Sequence, residues 1–312
     1  MLKKTLLSAA LAALLVLPAV AVAPAQATTS VSKRWVGAWI PGVPGGMTAL
    51  TTLEAQVGRK ESVVHYFTNT MYGLDTTLLS KLRAHGSVPL VTLEFWNPAK
   101  GVSQPTLSLK KIAAGSLDSY LRTYARKAKA YASPIWLRPF HEMNGNWYPW
   151  GGTVNGNSPA AFVAAWRHVR MIFKAEGATN VKFVWCPNGT SVPNTTANAI
   201  KKYWPGTSYV DYMALDGYNW GGSSWASFSS IFGKAYSAVK VLSTKQIFIA
   251  ETGSSEAGGN KAAWVSNMFK TIPTSFPRIV GVVWFDENKE HDWRITSSSL
   301  TLASFKVSAQ SF

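Results

Sequence analysis

The sequence predicts an α/β fold, a single (β/α)8 TIM barrel with its reacting groups at the C-terminal ends of the strands. Three observations lead there. Short runs that are apolar at nearly every position, rather than at alternate ones, describe parallel strands buried on both faces. Eight such runs alternate with amphipathic helical stretches along 312 residues, a length that suits one barrel, and no linker divides them. The competing arrangement, an open doubly wound sheet, is disfavoured because no glycine-rich phosphate turn follows the first run.

Trp35–Ile40 is the first predicted strand, closed by Pro41-Gly42. Thr48 is placed to cap a helix bearing Leu50, Leu53 and Val57, which Gly58 ends. Ser62–Phe67 is the second strand, and Asp75 caps a helix through Leu78, Leu79 and Leu82 that stops at Gly86. Val88–Trp96 is the third. After a loop rich in Pro, Ser and Gly, Ser116 opens a helix with Leu117, Tyr120, Leu121, Tyr124, Ala128 and Tyr131 on one face. Pro134–Phe140 is the fourth strand. Ser158, with Pro159 at the first helical position, starts a helix striped by Phe162, Trp166, Val169 and Phe173 and stopped near Gly177. Val181–Cys186 is the fifth strand, and residues 187–208 read as a long loop with one helical turn. Val210–Leu215 is the sixth strand, followed by a helix over 225–242, and Gln246–Ala250 is the seventh. Asn260 caps a helix carrying Trp264 and Met268, Ile279–Phe285 is the eighth strand, and Leu300–Val307 forms the last helix.

Residues 1–27 read as a secretory signal peptide. Lys3 and Lys4 precede an apolar run from Leu6 to Val22, and Ala25-Gln26-Ala27 is a small-residue cleavage site. Pro18 and several small residues interrupt the run before it reaches a membrane-spanning length. The expected mature domain is therefore 28–312, extracellular, monomeric and free of the membrane after cleavage. Cys186 is the one cysteine, so no intrachain disulfide forms, and its apolar neighbours describe a buried, inert thiol. The formal charge of +16 comes from scattered residues with no block of five, so no nucleic-acid partner is expected. The 14 tryptophans exceed what a core of this size requires, and several stand beside Gly, Asn and Pro in loop company.

Catalytic groups in such a barrel come from the C-terminal ends of strands. The fourth strand runs into His141, Glu142, Asn144, Asn146, Trp147, Tyr148 and Trp150. Carboxylates move protons, amides orient hydroxyls and flat rings stack on sugar faces, so this stretch suits polysaccharide cleavage. Other strand ends add His65, Glu94, Trp96, Trp185, Asn188, Asp216, Tyr218, Glu251, Trp284 and Asp286. Cleaving a glycosidic bond needs one protonated and one ionised carboxyl. Glu142 and Glu251, on the fourth and seventh strands, are the pair expected. His141 can hold a hydrogen bond in the site, Tyr218 can donate to Glu251, and Arg138 can support a carboxylate. Trp147, Trp150, Trp96, Trp220 and Trp284 are candidate sugar platforms, with Asn144 and Glu94 as polar contacts. No cofactor is expected. A zinc site of His65, Glu94, His141 and Glu142 is disfavoured, because HEMNG lacks the second His of a helical zinc motif and reads as strand. No Gly-x-Ser-x-Gly elbow marks a serine hydrolase.

RPFHEMNGNWYPW, followed by DGYNW, IAETGSS and VVWFDENKEHDWRI, resembles glycoside hydrolase family 26 from Trp35 to about Ser299. The resemblance implies a retaining (β/α)8 enzyme, chiefly an endo-β-1,4-mannanase, with Glu142 as acid/base and Glu251 as nucleophile. It also implies active-site positions for His141, Trp147, Tyr218 and Trp284. Glu94-Phe95-Trp96 stands where characterised mannanases carry a further histidine and tryptophans. Mannan is thus the first expected substrate, and mixed-linkage β-glucan and β-1,3-xylan stay open. A non-catalytic polysaccharide-binding protein is the alternative from another class, and two retained carboxylates argue against it.

Overall fold

Eight parallel strands pair in chain order, and β1 closes on β8 to complete the barrel. They are β1 (Trp35–Trp39), β2 (Val63–Asn69), β3 (Val88–Glu94), β4 (Ile135–Pro139), β5 (Val181–Trp185), β6 (Tyr212–Asn219), β7 (Ile247–Ser254) and β8 (Ile279–Phe285). The computed structural model describes residues 34–312, so the signal-peptide reading lies outside the described residues. The helices are α1 (Thr48–Val57), α2 (Thr76–His85), α3 (Leu109–Ala113), α4 (Asp118–Tyr131), α5 (Pro159–Ala175), α6 (Phe228–Val239), α7 (Lys261–Ser275) and α8 (Ser299–Gln310). Among the described residues, no helix is long and apolar enough to cross a membrane.

Local chemistry explains most boundaries. Asp75 accepts from the Thr77 and Leu78 amides at 2.9 and 3.2 Å, Ser158 from Ala161 at 3.1 Å and Asn260 from Ala263 at 2.8 Å. Gly86 closes α2 at φ 90°, a conformation that favours glycine. Two expected caps are not caps. Thr48 is the first residue of α1, behind an uncapped Met47, and α4 begins at Asp118 behind Leu117, not at Ser116. The β5–β6 crossover carries three short 3-10 turns, Thr196–Asn198, Ile200–Tyr203 and Thr207–Tyr209, in place of an α-helix.

Inward-facing side chains stack in layers. At the N-terminal end, Trp35, Trp136, Tyr212 and Phe248 plug the barrel, with Trp136 4.6 Å from Tyr212 and 5.4 Å from Phe248 between ring centroids. Above them lies a polar layer of His65, Thr92, Arg138 and Asp216, together with Cys186. Trp39, Phe67, Glu94, Tyr218, Glu251 and Phe285 form the mouth. β7 reaches its place in the mouth through a bulge. Leu215 pairs with Ile249, but Asp216 pairs with Glu251, so Ala250 is an extra residue. Phe248 and Ala250 belong to the interior plug, while Ile247 and Ile249 pack in the helix layer. Strict alternation would send Glu251 outward with Ile249; the bulge turns it into the barrel.

Candidate active site

Arg138, fully buried on β4, organises the polar layer. Its Nε donates to Thr92 Oγ1 at 2.7 Å, its Nη1 to Asp216 Oδ2 at 2.7 Å and its Nη2 to Glu251 Oε1. Nη2 also faces His65 Nε2 at 3.1 Å, and Thr92 Oγ1 lies 2.7 Å from the same nitrogen. Guanidinium groups only donate, and Thr92 already accepts from Arg138. His65 Nε2 is therefore the acceptor, and the ring is neutral with its proton on Nδ1. Burial pushes the His65 pKa well below the usual imidazole range, and the Arg138 charge adds to it.

Glu251 receives donors on both oxygens: Arg138 on Oε1 and the Tyr218 hydroxyl on Oε2 at 2.6 Å. Glu142 is held differently. It follows β4 on a turn in which Phe140 (φ 52°) and Glu142 (φ 53°) both adopt left-handed backbone, a cost of about 1–2 kcal/mol each for residues with a Cβ. The Glu142 amide donates to Cys186 O at 2.8 Å and its carbonyl accepts from Gly145 at 2.8 Å, which fixes the turn. The carboxyl accepts from Trp147 Nε1 at 2.6 Å and Asn188 Nδ2 at 3.0 Å. Burial raises its pKa to about 7, the nearby Glu251 charge adds, and the Trp147, Arg138 and Asn188 groups oppose the rise. Glu94, at the end of β3, accepts from Trp96 Nε1 at 3.1 Å, and burial raises it also to about 7.

The other candidate residues divide. Trp147 is half-buried beside Glu142. Trp96 is half-buried against Tyr148 and Trp150. Trp220 is 47% exposed, beside Tyr218, His291 and Trp293. Three candidates for sugar contact are instead structural. Trp150 is fully buried, stacked 4.5 Å from Tyr148, with Nε1 on His141 O at 2.6 Å. Asn144 is fully buried and pins the loop after β5, accepting from Asn188 N at 2.8 Å and donating to Asn188 O at 2.9 Å. Trp284 faces the helices, against Trp264 and Phe305, with Nε1 on Trp293 O at 2.8 Å. Its neighbour Phe285 has the inward parity and packs near Trp39, Phe67 and Tyr218. The His141 ring is buried among Tyr148, Trp150 and Phe67, and its Nδ1 has no partner among the described residues. Asp286, the candidate at the end of the eighth strand, is buried and accepts from Ile295 N at 2.5 Å.

His65 and Asn188 stand among the strand-end candidates without a defined role, and Thr92 is missing from them. Asn188 stands two residues beyond the fifth apolar run, a position where strand ends carry function. Thr92 interrupts an otherwise apolar strand, and that is its only signal in the sequence. Among the described residues, no three His, Cys, Asp or Glu side chains group as metal ligands.

The mouth of a parallel eight-stranded barrel thus sets two buried carboxyls in different environments, with half-buried and exposed tryptophans at its rim. The chain belongs to glycosyl hydrolase family 26, whose family model matches residues 102–295. It is 40% identical over 280 residues to Endoglucanase H of Acetivibrio thermocellus, covering 87% of this chain and 30% of that protein. It is 28% identical over 165 residues to Mannan endo-1,4-beta-mannosidase A and B of Caldalkalibacillus mannanilyticus, covering 51% of this chain and 29% of that one. The chain thus spans under a third of the length of either relative. A modular endo-beta-1,4-mannanase from Cellulomonas fimi shares the fold at a TM-score of 0.69 and 17% identity, covering 89% of this chain and 71% of that one.

Proposed function

We propose that the protein is a secreted, retaining endo-β-glycanase that works by double displacement, with β-glucan as its substrate. The contrast between the two carboxyls carries the mechanism: Glu142 has only neutral donors and a pKa raised to about 7, while Glu251 is bonded to Arg138 and Tyr218. In the first step Glu142 gives its proton to the glycosidic oxygen as the Glu251 carboxylate attacks the anomeric carbon. The leaving sugar departs and a glycosyl ester forms. In the second step the Glu142 carboxylate takes a proton from water, the water oxygen attacks the same carbon, and Glu251 is released with configuration retained. Trp147 and Asn188 favour the ionised Glu142 that the second step needs. Arg138 and Tyr218 keep the Glu251 oxygens aligned for attack.

Glucan is favoured over the mannan read from the motifs because the relative matched over 87% of the chain is named an endoglucanase. The mannosidase relative matches over 51% at lower identity and supports mannan as the second reading. Export rests on the signal-like pattern of residues 1–27.

The test is reducing-end release from mixed-linkage β-glucan, cellulose, mannan and β-1,3-xylan, with product lengths. Glu251→Ala should lower turnover by roughly a thousandfold or more. Azide added to Glu142→Ala should give a glycosyl azide of the substrate's own configuration. Near-normal activity of Glu251→Ala refutes the mechanism, and mannan cleaved faster than glucan refutes the substrate.

A further inference from the structure

Glu94 is a buried carboxyl that the double displacement leaves unused. It ends β3 opposite Asn69 of β2 and is 9% exposed. Arg138 is committed to Asp216 and Glu251, so it does not form an ion pair with Glu94. Among the described residues its one side-chain hydrogen bond comes from Trp96 Nε1, on Oε2, and Oε1 accepts none. A buried carboxyl without a full set of donors is costly, and functional sites are where such groups are kept.

Trp96 is fixed from three sides. Glu94 holds its Nε1, and Tyr148 and Trp150 meet it nearly at right angles, at 86° and 82°, with centroids 5.4 and 5.9 Å away. A half-buried indole fixed in this way offers a preset surface, while Glu94 Oε1 offers a preset acceptor beside it. A pyranose ring matches both, with C–H bonds for the indole and hydroxyl donors for the carboxyl.

We propose that Glu94 and Trp96 form one sugar subsite of the groove, in which Trp96 carries the ring and Glu94 Oε1 accepts from one hydroxyl. Glu94 is then a specificity-determining residue. Epimeric sugars differ in the direction of one hydroxyl, and a fixed acceptor on a rigid strand end pairs with only one of the two directions. The proposal deepens the glycanase reading and rests on it.

The experiment measures binding and turnover separately. Oligosaccharides of mixed-linkage glucan and of mannan are titrated calorimetrically into Glu251→Ala, and into Glu251→Ala carrying Glu94→Gln or Glu94→Ala. Glu94→Gln keeps the shape and an acceptor for Trp96, and thermal melting verifies the fold of each variant. The preferred sugar should bind roughly ten- to hundredfold more weakly in the Glu94→Ala protein, and the ratio between the two sugars should move toward one. With Glu251 intact, either Glu94 substitution should raise KM by more than it lowers kcat and leave both limbs of the pH profile in place. Unchanged affinities and ratio overturn the proposal. So does a loss confined to kcat with a vanished pH limb, which would put Glu94 in proton transfer. If the wild-type protein cleaves no β-glycan, the glycanase reading fails on that assay, while the titrations still decide the role of Glu94.

Discussion

Replacing Trp147 by Phe removes one hydrogen-bond donor and keeps an aromatic ring beside Glu142. The lost bond runs from Nε1 to Glu142 Oε2 over 2.6 Å. A hydrogen bond to an ionised acceptor contributes about 1.5–3 kcal/mol, and one to a neutral acceptor about 0.5–1.5 kcal/mol. The bond thus favours ionised Glu142 by about 1–1.5 kcal/mol, which corresponds to roughly 0.7–1.1 pH units at 1.36 kcal/mol each. Its loss raises Glu142 further above its value of about 7. Bond cleavage requires protonated Glu142, so the alkaline limb of kcat/KM should move upward by about 1 pH unit. The assay is kcat/KM against pH on a soluble polysaccharide. An aryl glycoside whose leaving group needs no proton is the control, and it should lack the limb in both enzymes. Gly145→Ala supplies an independent route to the same end. A Cβ on Gly145 would lie 2.5 Å from the Trp147 ring, so the indole must move off Glu142 although residue 147 is unchanged. An alkaline limb that stays in place or moves downward in Trp147→Phe refutes the acid role of Glu142 or the effect assigned to this bond.

Tyr218→Phe removes the donor to Glu251 Oε2 and should lower kcat by roughly a hundredfold with a smaller change in KM, read from steady-state kinetics. Trp284→Ala empties a fully buried site and should cost about 3–5 kcal/mol, seen as a lower Tm, with KM little changed. Trp220→Ala should do the reverse, raising KM at unchanged Tm, and matching behaviour of the two variants would mean their faces are wrongly assigned. Glu61 is buried with both carboxyl oxygens unpartnered, and burial, opposed by the Arg59 charge, raises its pKa from 4.5 to about 8. Between those values the folded protein keeps a proton that the unfolded chain has lost, so this stability is complete below 4.5 and falls as pH rises toward 8. Glu61→Gln should flatten the fall of Tm across that window, and a Gln variant with the wild-type slope would contradict it.

The barrel was legible because its strands are apolar on both faces and most of its helices carry their own caps and stops. The same feature hid the parity of the strands. A strand buried on both sides has no hydropathy alternation to separate inward from outward, so Trp284 and Phe285 read alike in VVWF. Register is set by the neighbouring strand, and the extra Ala250 that turns Glu251 inward is visible only in the pairing of β7 with β6. Polar residues also closed the apolar pattern of these two strands too early: β6 continues to Asn219 and β7 to Ser254. Within HEMNGNWYPW, side-chain types could be listed but not sorted. Which of them reaches solvent depends on bonds to the loop after β5, such as Asn144 with Asn188, and on the Trp150 bond to His141 O within the turn.

The difference between the two glutamates follows from where the cation lies. Arg138 projects from β4 into the layer beneath the mouth and touches Glu251 and Asp216 but not Glu142, although it stands only four residues before Glu142. The left-handed turn at Phe140 and Glu142 lifts the second carboxyl above that layer, where its partners are an indole and an amide. A strand continuing straight from Pro139 would keep the parity of Trp136 and Arg138 and face residues 140 and 142 inward. The turn instead sends Phe140 out against Phe95 and Phe162 and fixes Glu142 through its backbone bonds to Cys186 and Gly145. The strained turn and the β7 bulge both break strand alternation on different sides of the barrel: the bulge turns Glu251 inward, and the turn sets the height and partners of Glu142. Arg138 then distinguishes the two by contact with only one. A lysine at 138 could not hold Thr92, Asp216, His65 and Glu251 at once, because its single ammonium lacks the planar fork that spans them. The charge would remain, but the geometry that assigns it to Glu251 would be lost.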